Sequence, residues 1–107
     1  MDSRIEMGWL FDFYGPLLSK RQSELMSMWC EEDMSLTEIA ELTGVSKQAV
    51  STMLNAAKEH LQKYEEKLGL LARHKRMTDE LEHCLEILDA DPEQAKMQIR
   101  CLLTEEE

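Results

Sequence analysis

Helix breakers and sheet builders are both scarce in this sequence. Four glycines and two prolines punctuate 107 residues, and β-branched residues nowhere alternate with polar ones at the period of two that a half-buried strand needs. An all-α chain is expected. The three cysteines, Cys30, Cys84 and Cys101, stand far apart with no C-x-x-C pair. That spacing argues against a zinc knuckle or a dithiol redox site and for reduced thiols in a cytoplasmic setting. No apolar run approaches the ~20 residues of a membrane span. The opening MDSRIEMGWLFDFYG scatters acids through its apolar residues, unlike a secretory signal.

Basic charge is also short. Twelve Lys and Arg face 22 Asp and Glu, for a formal net charge of −10, and the pI is about 4.7. That balance is unusual for a nucleic-acid binder and counts against a simple strong DNA binder. The imbalance is uneven: residues 35–64 carry three basic and three acidic groups, residues 65–76 four basic and two acidic, and residues 77–107 two basic and ten acidic. Catalytic signatures are missing too. His60, His74 and His83 lie too far apart to share one helix face, and the adjacent His83 and Cys84 point to different faces. No Gly-rich phosphate loop, G-x-S-x-G or H-E-x-x-H occurs. Glu31-Glu32-Asp33 lacks the alternation of a calcium loop. Cys84 reads as a small buried apolar residue rather than a nucleophile. No enzyme, metal or cofactor is expected.

What is present is a helix-turn-helix pattern over Leu36 to Asn55, LTEIAELTGVSKQAVSTMLN. Ala40 falls where the paired helices approach closest, and Gly44 in the turn, where positive φ is needed. Ile39, Val45, Val50 and Met53 fall on inward faces. The spacing is that of a DNA-reading pair whose second helix enters a groove. Around it, the spacing predicts a helix over 3–14 with Ile5, Trp9 and Phe13 as its buried stripe, ended by Gly15-Pro16. Ser19 caps a helix through about Cys30 that buries Leu25, Met28 and Trp29. Ser35 and Glu38 form a capping box, and that helix ends near Thr43. Ser46 caps the next, which meets no glycine until Gly69.

Beyond the motif, Ala57, Leu61, Tyr64, Leu68 and Leu71 follow heptad spacing. Met77, Leu81, Leu85 and Leu88 form a second stripe. Asp91-Pro92-Glu93-Gln94 is a helix start, and the helix after it is expected to bury Ala95, Ile99 and Leu102 or Leu103. The two stripes imply self-association as a homodimer, the commonest symmetric assembly. The chain is divided into a helix-turn-helix domain, 1–64, with the motif at 35–60, and a C-terminal helical extension, 65–107.

Residues 17–64, with LLSKRQSEL, SLTEIAELTGVS, Val50 and Ala57…Leu61, resemble region 4 of bacterial sigma factors. Adding FDFYGPLLSKRQ (11–22) and the helical tail, the chain resembles the YlxM family, small bacterial helix-turn-helix proteins associated with the signal recognition particle operon. The resemblance implies an all-α, sigma-region-4-like helix-turn-helix with an N-terminal helix and a C-terminal helical extension. It also implies a regulatory or accessory role in the signal recognition particle pathway, with DNA, the particle's RNA or its GTPase as partner. The sequence departs from sigma region 4 between Ser51 and Ala57, where no arginine stands on the second helix. Arginine is the commonest reader of guanine.

Lys47, Gln48, Ser51, Thr52 and Asn55 should face outward on that helix. Gln48 and Asn55 suit base edges and Lys47 suits phosphate. Lys58 opens a basic-rich region that continues with Lys63, Lys67, Arg73, Lys75 and Arg76. It reads either as a phosphate track or as a solvated face with pairs such as Glu59–Lys63. Lys20 and Arg21 carry the same two readings. The aromatics, four of them between Trp9 and Tyr14, read as core packed on the helix-turn-helix, or in part as a partner surface, since the first helix is apolar on more than one side. The alternative to a nucleic-acid binder is a module that docks on the particle's GTPase or its RNA complex without reading a DNA sequence.

Overall fold

The computed structural model describes residues 3–105. Among them are six α-helices and no strand: α1 Ser3–Tyr14, α2 Lys20–Cys30, α3 Leu36–Thr43, α4 Lys47–Leu68, α5 Leu70–Ile87 and α6 Pro92–Glu105. A 3-10 turn, Gly15–Leu17, follows α1. The protein is all-α, as its composition requires.

The helix ends are fixed by side chains within three residues of them. Ser19 Oγ accepts from Gln22 N at 3.2 Å, and Gln22 Oε1 accepts from Ser19 N at 3.3 Å. Ser35 and Glu38 repeat the exchange at 3.1 Å in both directions. Each box satisfies two backbone donors that the first turn orphans. Ser46 Oγ accepts from Ala49 N at 3.0 Å, and Asp91 Oδ1 from Gln94 N at 3.2 Å just before Pro92 opens α6. Gly44 (φ +76°) and Gly69 (φ +62°) close α3 and α4 in the left-handed conformation, which a Cβ disfavours.

The chain divides into two compact units, residues 1–71 and residues 72–107. In the first, α1, α2 and α3 each pack on α4. Leu25, Met26, Ile39, Val50, Ala57 and Leu61 are fully buried there, with Leu10, Tyr14 and Leu54 almost so. Several inward faces differ from the sequence reading. On α1 the buried stripe is Met7, Leu10 and Tyr14, while Ile5, Trp9 and Phe13 are exposed. On α2, Met26 is buried and Met28 and Trp29 only partly. On α4, Leu54 joins Val50 at the centre, with Ala49 and Met53 half-buried. The proposed dimer seam from Ala57 to Leu71 is largely consumed inside this unit. Ala57, Leu61 and Leu71 are core, Tyr64 packs against it, and Leu68 is exposed.

One polar knot ties the ends of this unit together. The Tyr14 hydroxyl donates to Glu65 Oε1 at 2.6 Å and accepts from Leu70 N at 3.0 Å. Glu65 Oε1 also accepts from Leu71 N at 3.0 Å. The two side chains thus satisfy the first backbone donors after the Gly69 turn. Burial first, and then the Glu65 carboxylate, push the Tyr14 hydroxyl above its ordinary range.

In the second unit α5 and α6 run antiparallel. Arg76 meets Glu105 at 2.8 Å, and Cys84 Sγ donates to Gln98 Oε1 at 3.4 Å. Only Cys84, Ala95 and Leu102 are buried there among the described residues. Of the pair Leu102 or Leu103 it is Leu102 that is buried; Ile99, also expected in this core, is exposed, as are Leu103, Leu81, Leu85 and Leu88.

Candidate nucleic-acid interface

The first three turns of α4 place the candidate readers together. At about 3.6 residues per turn, positions 47, 51, 55 and 58 line one row and 48 and 52 the row beside it. Val50, Leu54, Ala57 and Leu61 form the neighbouring stripe on the other flank of the first row and are buried. Lys47, Gln48, Thr52 and Asn55 are accordingly exposed, whereas Ser51 and Lys58 lie at the edge of the core and are half-buried. Among the described residues Lys47 makes no ion pair. The helix carries no carboxylate from Lys47 through Lys58, the first being Glu59. In a chain with 22 acids, these three turns of α4 bring no carboxylate of their own against a phosphate.

Lys58 is placed differently from its neighbours. Its ammonium lies 3.8 Å from the Trp29 ring centroid, and the Arg4 guanidinium lies 4.6 Å from the same centroid. Both are cation–π contacts, and the sequence gives no sign of them because α1, α2 and α4 must first come together. Burial lowers the Lys58 pKa, and the Arg4 charge pushes the same way. A lysine that packs on an indole is a poorer phosphate ligand than Lys47. Lys20 and Arg21, in the first turn of α2, are exposed. Arg21 faces Glu24 at 3.9 Å, a surface pair of little energetic weight. Gln22 Nε2 lies 3.3 Å from His60 Nδ1, which sets this turn against the middle of α4, beyond the reading face. Lys63 pairs with Glu59 at 3.8 Å, as its spacing predicts.

Beside Lys58, burial raises the Cys30 pKa to about 11. Its thiol therefore stays protonated at neutral pH. Alkylation with iodoacetamide at pH 7.5 is expected to label exposed Cys101 first, Cys30 slowly and buried Cys84 last. Peptide mapping over a time course checks the order, and Cys30 reacting as fast as Cys101 would contradict this placement.

The family described as "Putative helix-turn-helix protein, YlxM / p13 like" (UPF0122) matches residues 1–100. The chain belongs to the UPF0122 family. A UPF0122 protein of Symbiobacterium thermophilum is 48% identical over 83 residues, covering 75% of this chain and 78% of that one. One from Halalkalibacterium halodurans is 40% identical over 89 residues, covering 83% and 82%. One from Clostridium botulinum is 36% identical over 88 residues, covering 82% and 81%. This UPF0122 chain is therefore a helix-turn-helix protein by sequence family and by structure alike, with α3 and α4 as the pair. No helix among its described residues is long and apolar enough to cross a membrane. Nor does any group of three His, Cys, Asp or Glu among them suit a metal ion.

Proposed function

We propose that this UPF0122 protein is a nucleic-acid-binding regulator that presents the first turns of α4 to a groove. The observation that carries this reading is the acid-free face of Lys47, Gln48, Thr52 and Asn55 on the second helix of the pair. Lys47 would meet phosphate, and Gln48 and Asn55 would meet base edges. Ser51 at the margin, Lys58 and the Lys20–Arg21 turn would contribute less. With so few cations the affinity should be modest and steeply salt-dependent. The YlxM resemblance makes the signal recognition particle RNA the first polymer to test, beside duplex DNA.

Lys47→Glu is expected to weaken binding about tenfold and to reduce the slope of log affinity against log salt by about one. Titration of labelled RNA and DNA at several salt concentrations measures both. Unchanged binding to each polymer would remove α4 as the reader. A specific observation also favours the second reading, docking on the particle's GTPase: the face is nearly neutral and the whole chain is acidic. Pull-down with and without nuclease separates the two, because a direct protein contact survives nuclease.

We further propose that the protein works as a homodimer built on the 72–107 unit. Units below about 40 residues seldom hold together on their own core, and this one buries only Cys84, Ala95 and Leu102 among its described residues. By helical geometry Leu81, Leu85 and Leu88 of α5 and Ile99 and Leu103 of α6 fall on one side of the antiparallel pair. That apolar face is bordered by Glu82 and Glu86 on α5 and by Lys96 and Arg100 on α6. A two-fold axis parallel to the helices would set the acidic border of one copy on the basic border of the other.

A further inference from the structure

The α5–α6 hairpin carries a groove of about 480 Å³, and every described residue that lines it belongs to the 72–107 unit. By helical geometry the groove lies on the side of the hairpin away from Leu81, Leu85, Ile99 and Leu103. Leu102, 5% exposed, sits at its base. Met97, 57% exposed, and Cys101 form its α6 wall, and His83 stands on its α5 wall.

Contacts between the two helices fix the register along the groove. Arg76 meets Glu105, and Cys84 Sγ meets Gln98 Oε1. Antiparallel pairing therefore gathers Asp79, Glu80 and Glu105 at one end, with Leu102 and Cys101 in the middle and Met97 toward the other end. Arg76 also reaches Glu80 at 3.6 Å, so one guanidinium serves two of these three carboxylates. The cations of α6, Lys96 and Arg100, border the other face. The groove thus has an apolar run that leads to an anionic end.

This pattern selects the occupant. A wholly apolar helix would cover the carboxylates with hydrocarbon, which is costly. A nucleic acid would bring its phosphates against them. A second copy of this chain, at a net charge of −10, meets like charge as well. A lysine or arginine fits both parts of the groove, its aliphatic stem over Leu102 and Cys101 and its charged head at the carboxylates. Length agrees too. Met97 and Glu105 are about 12 Å apart along α6, and residues seven apart on a partner helix span about 10 Å on one face.

We propose that this groove docks a basic amphipathic helix of another protein. An apolar side chain of that helix packs on Met97 and Leu102, and a lysine or arginine seven residues along meets Asp79, Glu80 and Glu105. The mode is that of a helix laid in a groove and read by its anchors. It rests on neither the α4 face nor the dimer face, and it stands or falls independently of both.

The test uses the full chain and a synthetic helical peptide with leucine and lysine seven residues apart. A leucine–glutamate peptide and an alanine–lysine peptide of equal charge are the controls. Cys101 lines the groove and is exposed, so its thiol reports occupancy. At about ten times its Kd the leucine–lysine peptide should slow iodoacetamide labelling of Cys101 about tenfold, by mass action. The amide signals of Asp79, His83 and Met97 should shift with it in two-dimensional NMR at ~100 mM salt, where contacts between close charges still act. Met97→Glu and Asp79→Lys, both at exposed positions, should each weaken binding about tenfold. Protection of Cys101 in the parent chain decides the proposal even if a variant fails to fold. Equal protection by either control peptide would overturn it, as would unchanged affinity in both folded variants. So would slow labelling of Cys101 in the free chain, which would mean that the groove is already covered. Shifts confined to Leu81, Leu85 and Ile99 would overturn it too, as would protection that rises with protein concentration alone, which would assign the groove to a second copy.

Discussion

Tyr14→Ala is expected to lower the unfolding free energy by about 3–5 kcal/mol, the range for removing a large buried aromatic. Tyr14→Phe should lower it by about 1–3 kcal/mol, because its partners remain buried without it. Tyr14 is 1% exposed, and its ring centroid lies 6.0 Å from that of Tyr64. The alanine variant thus loses packing as well as the hydroxyl, while the phenylalanine variant isolates the knot. Without the hydroxyl, Leu70 N–H loses its acceptor and the Glu65 carboxylate loses a 2.6 Å donor.

Urea denaturation followed by circular dichroism measures both variants, and Tyr14→Phe matching the parent would show that the knot contributes nothing. The pH dependence has a definite sign. The Tyr14 pKa is raised above its ordinary 10.0 in the folded state. Its contribution to stability is therefore complete below the ordinary value and lost as pH rises through the raised one. Tyr14→Phe should remove that part of the alkaline loss.

The second large effect is expected at the proposed dimer face. Leu81→Glu combined with Leu85→Glu places two charges where two apolar side chains would be covered. Loss of central anchors costs about 2 kcal/mol or more each, so dimer affinity should fall by about a thousandfold. Sedimentation equilibrium should then show a monomer at concentrations where the parent is dimeric. The charged borders supply a sharper check. Glu82→Lys with Glu86→Lys should weaken the dimer, and so should Lys96→Glu with Arg100→Glu. All four changes together should restore it, because an exchanged set is complementary again. A parent chain that sediments as a monomer at ~100 μM, a weak-complex concentration, would end the dimer proposal outright. Failure of the fourfold variant alone would reject the paired-border geometry.

The helix boundaries were readable because their causes are local. Ser19, Ser35, Ser46 and Asp91 bond to backbone three residues away, and Gly44 and Gly69 supply their own φ. The helix-turn-helix was readable for the same reason, since its Ala, Gly and Val positions constrain one short segment. The candidate readers Gln48, Thr52 and Asn55 follow from helical phase once Val50 is known to face inward, whereas Lys47 shares the phase of Leu54 and is exposed at the start of the helix. Lys58 does not follow from phase either, because its position on Trp29 depends on a helix that lies far away in sequence.

Sequence alone determined that this chain is all-α, where the helices other than α5 start, and that one pair of them has the form of a groove reader. Only the tertiary structure decided which side of each amphipathic helix faces in. In α1 the stripes Ile5–Trp9–Phe13 and Met7–Leu10–Tyr14 are both apolar and both fit the helical period. The inner one is held because the Tyr14 hydroxyl finds Glu65 and Leu70 N–H across the fold. In α4 the Ala57–Leu61 seam suits a partner helix of any origin, and α1 and α2 of the same chain supply it. Periodicity says that a face must be covered, whereas the identity of the cover is a long-range choice set by packing and by where buried polar groups find partners.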